Sequence, residues 1–399
     1  MALLDSPAPA GSGARLMAVL NNATVRSVVY QALTLACVVL LFWYLISNTI
    51  ENMSQRGMSA GFDFLGVSAG FGIGFTLIPY REGDTYLRVF MVGIANTMLV
   101  AVVAIVLSTV LGLIVGLARL SNNWVIRNVA RWYIEVLRNT PLLLQIIAWY
   151  FGVFTLLPRP RDSIGWVDSI FLNNRGLYLP APVIADGFGT VLAAAVLGLA
   201  GAFAWARFAR KERENSGRIR PVVLPVLALL VLPPLLATLL AGAPVSWDMP
   251  QLRGFNFVGG LNIPPSFCAL IIALSIYTSC FIGENVRSGV QSVSRGQTEA
   301  ARALGVPPGR TMRSIILPQA LRVIIPPLIS QYLNVTKNSS LAIAIGFPDL
   351  VSVWMNTSLN QSGRAIPIVA MTMGFYCLVS LAVSLAMNRY NRSILIRER

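Results

Sequence analysis

Glu299-Ala-Ala-Arg-Ala-Leu-Gly305-Val-Pro-Pro-Gly-Arg-Thr-Met-Arg-Ser-Ile315-Ile-Leu317-Pro318 is a polar, basic stretch set between two long apolar segments. Gln297 to Leu304 is rich in helix formers, with Ala300, Ala301 and Ala303 around Glu299. Gly305 falls where a left-handed cap would end that helix, and Pro307 and Pro308 forbid continuation. Proline is tolerated in a first turn, so a second helix can restart at Pro308 and run through Met312, Ile315 and Ile316 to Leu317-Pro318. The expected shape is helix, Gly-Pro elbow, helix. Such a shape suits docking into a groove on another protein. A solvated loop with a short interfacial helix has the same residue types, and both readings stay open at this level.

The chain around this stretch has 399 residues, 55% hydrophobic and 12% charged, with mean hydropathy +0.68. Soluble domains carry roughly 25% charged residues. An all-α integral membrane protein is therefore expected. Histidine is absent, which removes imidazole acid–base chemistry and the commonest metal ligand. Cys37, Cys268, Cys280 and Cys377 stand singly in apolar segments, without metal-ligand or redox spacing, and read as small core residues. No metal site and no catalytic residue are expected. The chain has no Gly-rich phosphate loop of Walker type. Energy for any transport must then come from a partner or an ion gradient.

Apolar runs of about one bilayer thickness predict eight transmembrane helices. Segment 1–27 precedes them, and 28–88 holds TM1 (Val28 to Ile46) and an outer loop. Within that loop Gly61-Phe-Asp-Phe64 and Gly70-Phe-Gly-Ile-Gly-Phe75 suit either an amphipathic interfacial segment or a loop packed on the helices. Region 89–157 holds TM2 (Val89 to Leu117) and TM3 (Trp132 to Leu156). TM2 carries Gly112-Leu-Ile-Val-Gly116, a spacing of small residues that permits close helix packing. Glu135 and Arg138, at i and i+3, are expected to pair. Region 158–265 adds TM4 (Gly187 to Ala206) and TM5 (Pro221 to Leu240) between two polar loops. Region 266–387 holds TM6 (Ser266 to Gly283), a polar loop over 284–322, TM7 (Val323 to Phe347), a further loop (Pro348 to Arg364) and TM8 (Ala365 to Met387). A basic tail, 388–399, follows.

Charge gives the orientation. With both termini and the loops after TM2, TM4 and TM6 inside, the inner regions hold 21 Lys and Arg and the outer loops 8, against 9 outer acids. Cytoplasmic loops carry such an excess. The Glu299–Pro318 stretch is then cytoplasmic. The formal charge of +15 is met by anionic lipid at the membrane surface, so no nucleic acid partner is expected.

The spacing Glu-Ala-Ala, three residues, Gly, nine residues, Ile, one residue, Leu-Pro resembles the signature loop of permease subunits in bacterial ABC importers. Glu299, Ala300, Ala301, Gly305, Ile315, Leu317 and Pro318 meet every fixed position. Arg138-Asn-Thr-Pro-Leu-Leu-Leu-Gln145, Glu284-Asn-Val-Arg-Ser-Gly-Val-Gln291, Lys337-Asn-Ser-Ser-Leu-Ala342 and Gly346-Phe-Pro-Asp-Leu350 extend the resemblance to the polar amino-acid branch. The long permeases similar to the general L-amino-acid and glutamate/glutamine/aspartate/asparagine importers are the nearest in layout. The resemblance implies a type I permease core of five helices, TM2, TM3, TM6, TM7 and TM8, with TM1 and the TM4–TM5 hairpin added. It implies a coupling helix at 299–318 seated in a separate ATPase subunit, in that family a pair, which hydrolyses ATP with Mg. It also implies a second permease subunit, the same or different, and a periplasmic amino-acid-binding protein. The expected location is the bacterial inner membrane, multi-pass, with both termini cytoplasmic. No cofactor is expected on this chain itself.

TM7 is the most polar span, with Gln331, Asn334, Lys337, Asn338, Ser339 and Ser340. Lys337 lies 15 residues beyond Arg322, about 22 Å at the helical rise, hence past the midplane. It either snorkels to the outer interface or lines the substrate path, where an amino-acid carboxylate would pair with it. Glu284, at the inner end of TM6, either pairs with Arg287 or faces an inner vestibule. A self-sufficient secondary transporter remains the alternative, but that class favours intramembrane acids and internal repeats; Glu135 and Glu284 both lie near helix ends.

Overall fold

The computed structural model of the protein describes residues 23–55, 61–167, 169–185, 187–218, 220–242 and 245–394. The N-terminal segment up to Asn22 and the end of the basic tail lie outside the described residues. Its helices are α1 (Ala23–Gln55), α2 (Tyr86–Arg119), α3 (Trp124–Asn139), α4 (Leu142–Gly152), α5 (Phe188–Ser216), α6 (Val223–Leu240), α7 (Pro265–Gln291), α8 (Arg295–Ala303), α9 (Pro308–Thr311), α10 (Leu317–Asn338), α11 (Leu359–Ser362) and α12 (Ala365–Ile394). Seven spans among the described residues are long and apolar enough to cross a membrane, and a bent pair makes up to eight. The chain is a mostly helical, multi-pass membrane protein.

The bent pair corrects one expectation. Trp132 to Leu156 is not one continuous span: α3 and α4 meet at 99°. Pro141 has no N–H to give the Leu137 carbonyl four residues earlier, so the ladder breaks there. Gln145 repairs the break, its Nε2 donating to Leu137 O at 2.8 Å and Thr140 O at 3.1 Å. The 11 residues of α4 reach only about 16 Å, too little to cross alone. Glu135 pairs with Arg131, one turn back, at 2.7 Å and not with Arg138.

Between the buried hydrophobic clusters, α2, α7 and α10 meet at glycine contacts. A Cβ at Gly112 would stand 2.6 Å from Ile282 Cβ, and one at Gly116 would stand 2.8 Å from Gly283 O and Val286 Cβ. The helix pair α2–α7 is thus closely packed, with Gly283 backbone against backbone and Ile282 and Val286 against the bare Gly112 and Gly116, as the Gly112–Gly116 spacing predicts. Gly289 of α7 makes room for Ile324 of α10: a Cβ there would stand 2.3 Å from Ile324 Cγ1. Polar bridges flank these seams: Tyr133 Oη to Ser279 Oγ at 2.8 Å and Thr109 Oγ1 to Tyr332 Oη at 2.9 Å.

The Gly-Phe segment before α2 packs on the helices. Phe64 is buried against Trp354 and Tyr86, and Phe75 lies between Phe267 and Phe347 with ring centroids 6.0 and 5.6 Å away. The two polar loops flanking the α5–α6 hairpin are not irregular. They fold as β1 (Ile164–Trp166), β2 (Ile170–Asn173), β3 (Gly176–Leu179), β4 (Ala181–Ile184), β5 (Val245–Asp248), β6 (Gln251–Arg253), β7 (Asn256–Val258) and β8 (Leu261–Ile263). Antiparallel pairs give a sheet β1-β2-β3-β8 and two ribbons, β4-β5 and β6-β7. Strands from either side of the hairpin therefore interleave.

Gly116→Val is expected to cost about 1–3 kcal/mol, because both neighbours at that position are backbone or β-branched and cannot yield. A lowered detergent melting temperature, with Ala tolerated better than Val, checks this; unchanged melting for Val would contradict the close packing.

Candidate functional site

The polar stretch of 299–318 forms the expected elbow. Ser294 caps α8, its Oγ accepting from Gly296 N at 3.3 Å. At the other end Gly305 has φ +69°. Gly305 N donates to Arg302 O and Val306 N to Ala301 O, both at 2.9 Å. This paired 5→2 and 6→1 closure is a Schellman cap. A Cβ on Gly305 would meet nothing within 4 Å, so its requirement is backbone angle alone. Thr311 is buried and its hydroxyl donates to Pro307 O at 3.2 Å, fixing the restart at α9.

Two details differ from the sequence reading. Ala301, expected with Glu299 and Ala300 on the face that meets the ATPase, is only 2% exposed and packs within this chain. Glu299, Ala300, Gly305, Leu317 and Pro318 are exposed and Ile315 is half-buried. Second, the helix after the elbow does not stop at Pro318. It passes through a π-helical turn, Met312–Ile316, straight into α10. Pro318 cannot donate to the Ser314 carbonyl, and a widened turn accommodates the missing bond; Gln319 Nε2 covers Ile315 O at 2.9 Å. Elbow and TM7 are one mechanical piece. Leu304, 81% exposed at the tip, was missed by sequence reasoning. Its signal is a leucine immediately before the capping glycine.

Glu284, near the C-terminal end of α7, is held by Arg287 through paired Nε contacts at 3.0 Å, with Arg119 Nη2 at 3.9 Å. It ties α7 to α2 and does not stand free in a vestibule.

At the other end of α10 the helix tightens into a 3-10 segment, Ser339–Ile345, and turns at Gly346, φ +69°. The loop expected over 348–364 is instead a π-helical segment, Val351–Ser358, followed by α11. Asn96 and Thr97 of α2 pin this cap. Asn96 Nδ2 donates to Pro348 O at 2.8 Å and Phe75 O at 2.9 Å, its Oδ1 accepts from Leu77 N at 3.0 Å, and Leu350 N donates to Thr97 Oγ1 at 3.0 Å. Asp349 is fully buried there. Its Oδ1 accepts from Ser352 N at 2.9 Å, while Oδ2 has no partner.

Lys337 and Ser340 line an open cavity of about 570 Å³ with Met355 of the π-helical segment and Thr372, Tyr376 and Ser380 of α12. The other residues singled out on TM7 divide. Gln331 and Asn338 are half-buried and Asn334 exposed outside this cavity; Ser339 is buried, its hydroxyl donating to Thr336 O at 2.7 Å. The α12 residues were missed. Their spacing of four residues, 372, 376 and 380, marks one stripe of a helix and was available in the sequence.

Residues 213–395 match the family model described as the binding-protein-dependent transport system inner membrane component. Over 379 residues the chain is 51% identical to a putative amino-acid ABC transporter permease protein, YhdX, of Escherichia coli, covering 95% of this chain and 96% of that one. The chain belongs to the ABC transporter permeases. The general L-amino acid transport system permease protein AapQ of Rhizobium johnstonii is 44% identical, covering 98% of this permease and 97% of its own length. The glutamate/glutamine/aspartate/asparagine transport system permease protein BztB of Rhodobacter capsulatus is 40% identical, covering 100% of both. The matches to AapQ and BztB run over the segments of α1 and the hairpin as well as the rest of the chain. The elbow, α10 and α12 all lie within the family match.

Burial pushes the Asp349 carboxyl up to about 7, with backbone N–H donors opposing the rise. A raised carboxyl pKa means the folded permease keeps a proton that the unfolded chain releases. This contribution to stability is full below about pH 4 and is lost as pH climbs to about 7. Asp349→Asn removes the titration. The melting-temperature difference is expected to move in favour of the variant between about pH 4 and pH 7 and stay level above; a difference constant with pH would contradict the assignment.

Proposed function

We propose that this permease forms half of the membrane channel of an importer for L-amino acids, either broad in range or for glutamate, glutamine, aspartate and asparagine. It works by alternating access, driven by a separate ATPase. The observation that carries this reading is the elbow: a rigidly capped helix-turn-helix, continuous with a polar membrane helix, on the basic face of the protein. The names of the full-length relatives support the substrate class. The chain performs no chemistry; ATP and Mg are bound and turned over by an ATPase dimer. A second permease subunit completes the channel, and a periplasmic binding protein delivers the amino acid. The membrane is the bacterial inner membrane, with both termini cytoplasmic.

Within this scheme Glu299, Ala300, Leu304 and the exposed Leu317-Pro318 edge meet the ATPase, while Ala301 and Gly305 hold the elbow's shape. Movement passes through the π-helical turn into α10. The core comprises 89–157 and 266–387, the coupling loop 284–322, and the insertion 158–265. Along α10, Gln331 and Asn334 precede the cavity residue Lys337, and Asn338 follows it before Ser340. A lysine beside hydroxyls and an open cavity suits an α-carboxylate, and a cation in a membrane helix is retained where it faces such a cavity.

Gly305→Val forces a β-branched residue to positive φ, costing on the order of 1–2 kcal/mol at the elbow. It is expected to lower uptake at least tenfold while membrane insertion persists, with loss of ATPase co-purification or uncoupled hydrolysis. Asn, which tolerates this angle, should restore coupling. Full coupled uptake in the valine variant sinks the coupling assignment.

Lys337→Ala is expected to impair labelled amino-acid uptake in membrane vesicles, with insertion and ATPase binding intact. Unaltered uptake would leave Lys337 as a snorkelling surface residue. Uptake that persists in cells depleted of ATP would overturn the ABC reading as a whole.

A further inference from the structure

The interleaved strands of the insertion build a concavity that the core function does not use. Arg159, Arg161 and Arg175 line it with Asp162, Asn174 and Phe255, enclosing about 330 Å³. None of the three arginines enters an ion pair among the described residues. Asn174 Oδ1 is buried there with no hydrogen-bond partner. The Arg161 guanidinium carbon lies 4.7 Å from the centre of the Phe255 ring, which holds that side chain in place before any partner arrives.

The scaffold beneath is tightly tied. Ser163 Oγ donates to Pro160 O at 2.7 Å, Asn173 Nδ2 to Ser163 Oγ at 3.0 Å, and Asn174 N to Pro158 O at 2.9 Å. Asn173 Oδ1 accepts from Arg175 N at 2.9 Å, setting the two-residue turn between β2 and β3. Phe257 stacks on Phe171 at 4.6 Å, and Tyr178 donates to Asn256 Oδ1 at 3.0 Å. The sheet also leads into the core: β8 runs directly into α7, and Leu157 and Leu172 pack on the cluster that includes Phe347.

By the charge pattern this region faces outward. Only eight Lys and Arg lie in the outer loops, and three of them converge here. Guanidinium groups pair bidentately with carboxylates, and one prearranged cation lowers the ordering cost of binding. We propose that this concavity is a docking point for acidic side chains of the extracytoplasmic binding protein, which brings the delivered substrate over the outer mouth beside α7. The proposal rests on the importer reading, and the family match names a binding-protein-dependent system.

The test uses the full permease reconstituted with its ATPase in proteoliposomes, with the binding protein titrated from outside and ATP hydrolysis measured. Charges at the edge of an interface act mainly on association and its salt dependence. Arg159→Glu and Arg175→Glu are each expected to raise the half-saturating concentration of binding protein at least fivefold at low salt. The maximal rate should stay within twofold. Raising salt should weaken docking to wild type and affect the variants little. Melting temperature and ATPase co-purification check that the variants are folded. Half-saturation unchanged in both variants overturns the docking site while leaving the importer reading intact. So does an effect that follows the anionic-lipid content of the liposomes and not the binding-protein concentration, or a fall in maximal rate alone. Absence of any stimulation in wild type overturns the importer reading, and the docking site with it.

Discussion

At the α2–α7 contact α2 offers bare backbone at Gly112 and Gly116 to Ile282, Gly283 and Val286 of α7, and most of the arrangement follows from that. Gly112 and Gly116 let the backbone of α7 approach to distances at which any Cβ would collide, and Gly289 repeats the arrangement toward α10. Inside a bilayer, apolar burial does not draw helices together, because lipid tails are as apolar as leucine. Close van der Waals packing and interhelical hydrogen bonds must do it instead. The hydroxyl bridges Tyr133–Ser279 and Thr109–Tyr332 stand beside these seams for that reason. α7 leads into the elbow and α10 leaves it. Both are gripped by the same central packing, so a push at the elbow is poorly absorbed by local deformation: densely packed interiors transmit strain. Motion as a larger unit is the response such packing favours.

At the N-terminal end of α2 the same logic is carried by polar atoms. Gly93 of α2 lies against Leu350, where a Cβ would be 2.9 Å from its Cα. Asn96 and Thr97, one turn away, bond the backbone of the segments that cap α10 and precede α2. These segments have turned away from regular helix, so their backbone groups need side-chain partners. A buried asparagine making three bonds to two different segments serves as a fixed hinge pin between them.

What was legible in the sequence divides along the range of the interactions. The elbow is a local code: Gly305 and the two prolines determine their own geometry through φ and the missing N–H. Long apolar runs likewise marked the spans, but α1, α5 and α7 run eight to ten residues past the expected ends as polar or charged helix, and the TM7 span begins back at Pro308. The break at Pro141 was visible as a proline, but the compensating Gln145 made it tolerable, and that pairing was not anticipated. The strands were hidden because β3 pairs with β8 and β4 with β5 across the whole α5–α6 hairpin. The two-residue turns at Asn174-Arg175 and Gly254-Phe255 were near-range signs of the short local hairpins. In the candidate path, Lys337 was legible as a cation in an apolar helix, whereas its cavity depends on α12, whose polar stripe has meaning only once α10 lies beside it. Ser339 and Glu284 show the converse: a polar residue type suggests a path, and a helix carbonyl or an arginine nearby claims it.

The hairpin itself poses a packing question. α5 and α6 meet closely, with Gly198 against Leu229 O, yet their outer faces stay exposed, and α1 is exposed along nearly its full described length. In water such surfaces would demand cover; in a bilayer the lipid is the cover, so exposure there carries no penalty. The same fact means that lipid gives the hairpin no reason to stay beside the core. What ties it to the core is the sheet, through the β3–β8 and β4–β5 pairings and the Phe171–Phe257–Tyr178 stack. Since β3 and β8 belong to the two ends of the insertion and β8 continues into α7, the hairpin is fastened to the central helix by its ends. A tilt of α7 would then carry the sheet, and the arginines on it, along with the mouth of the channel.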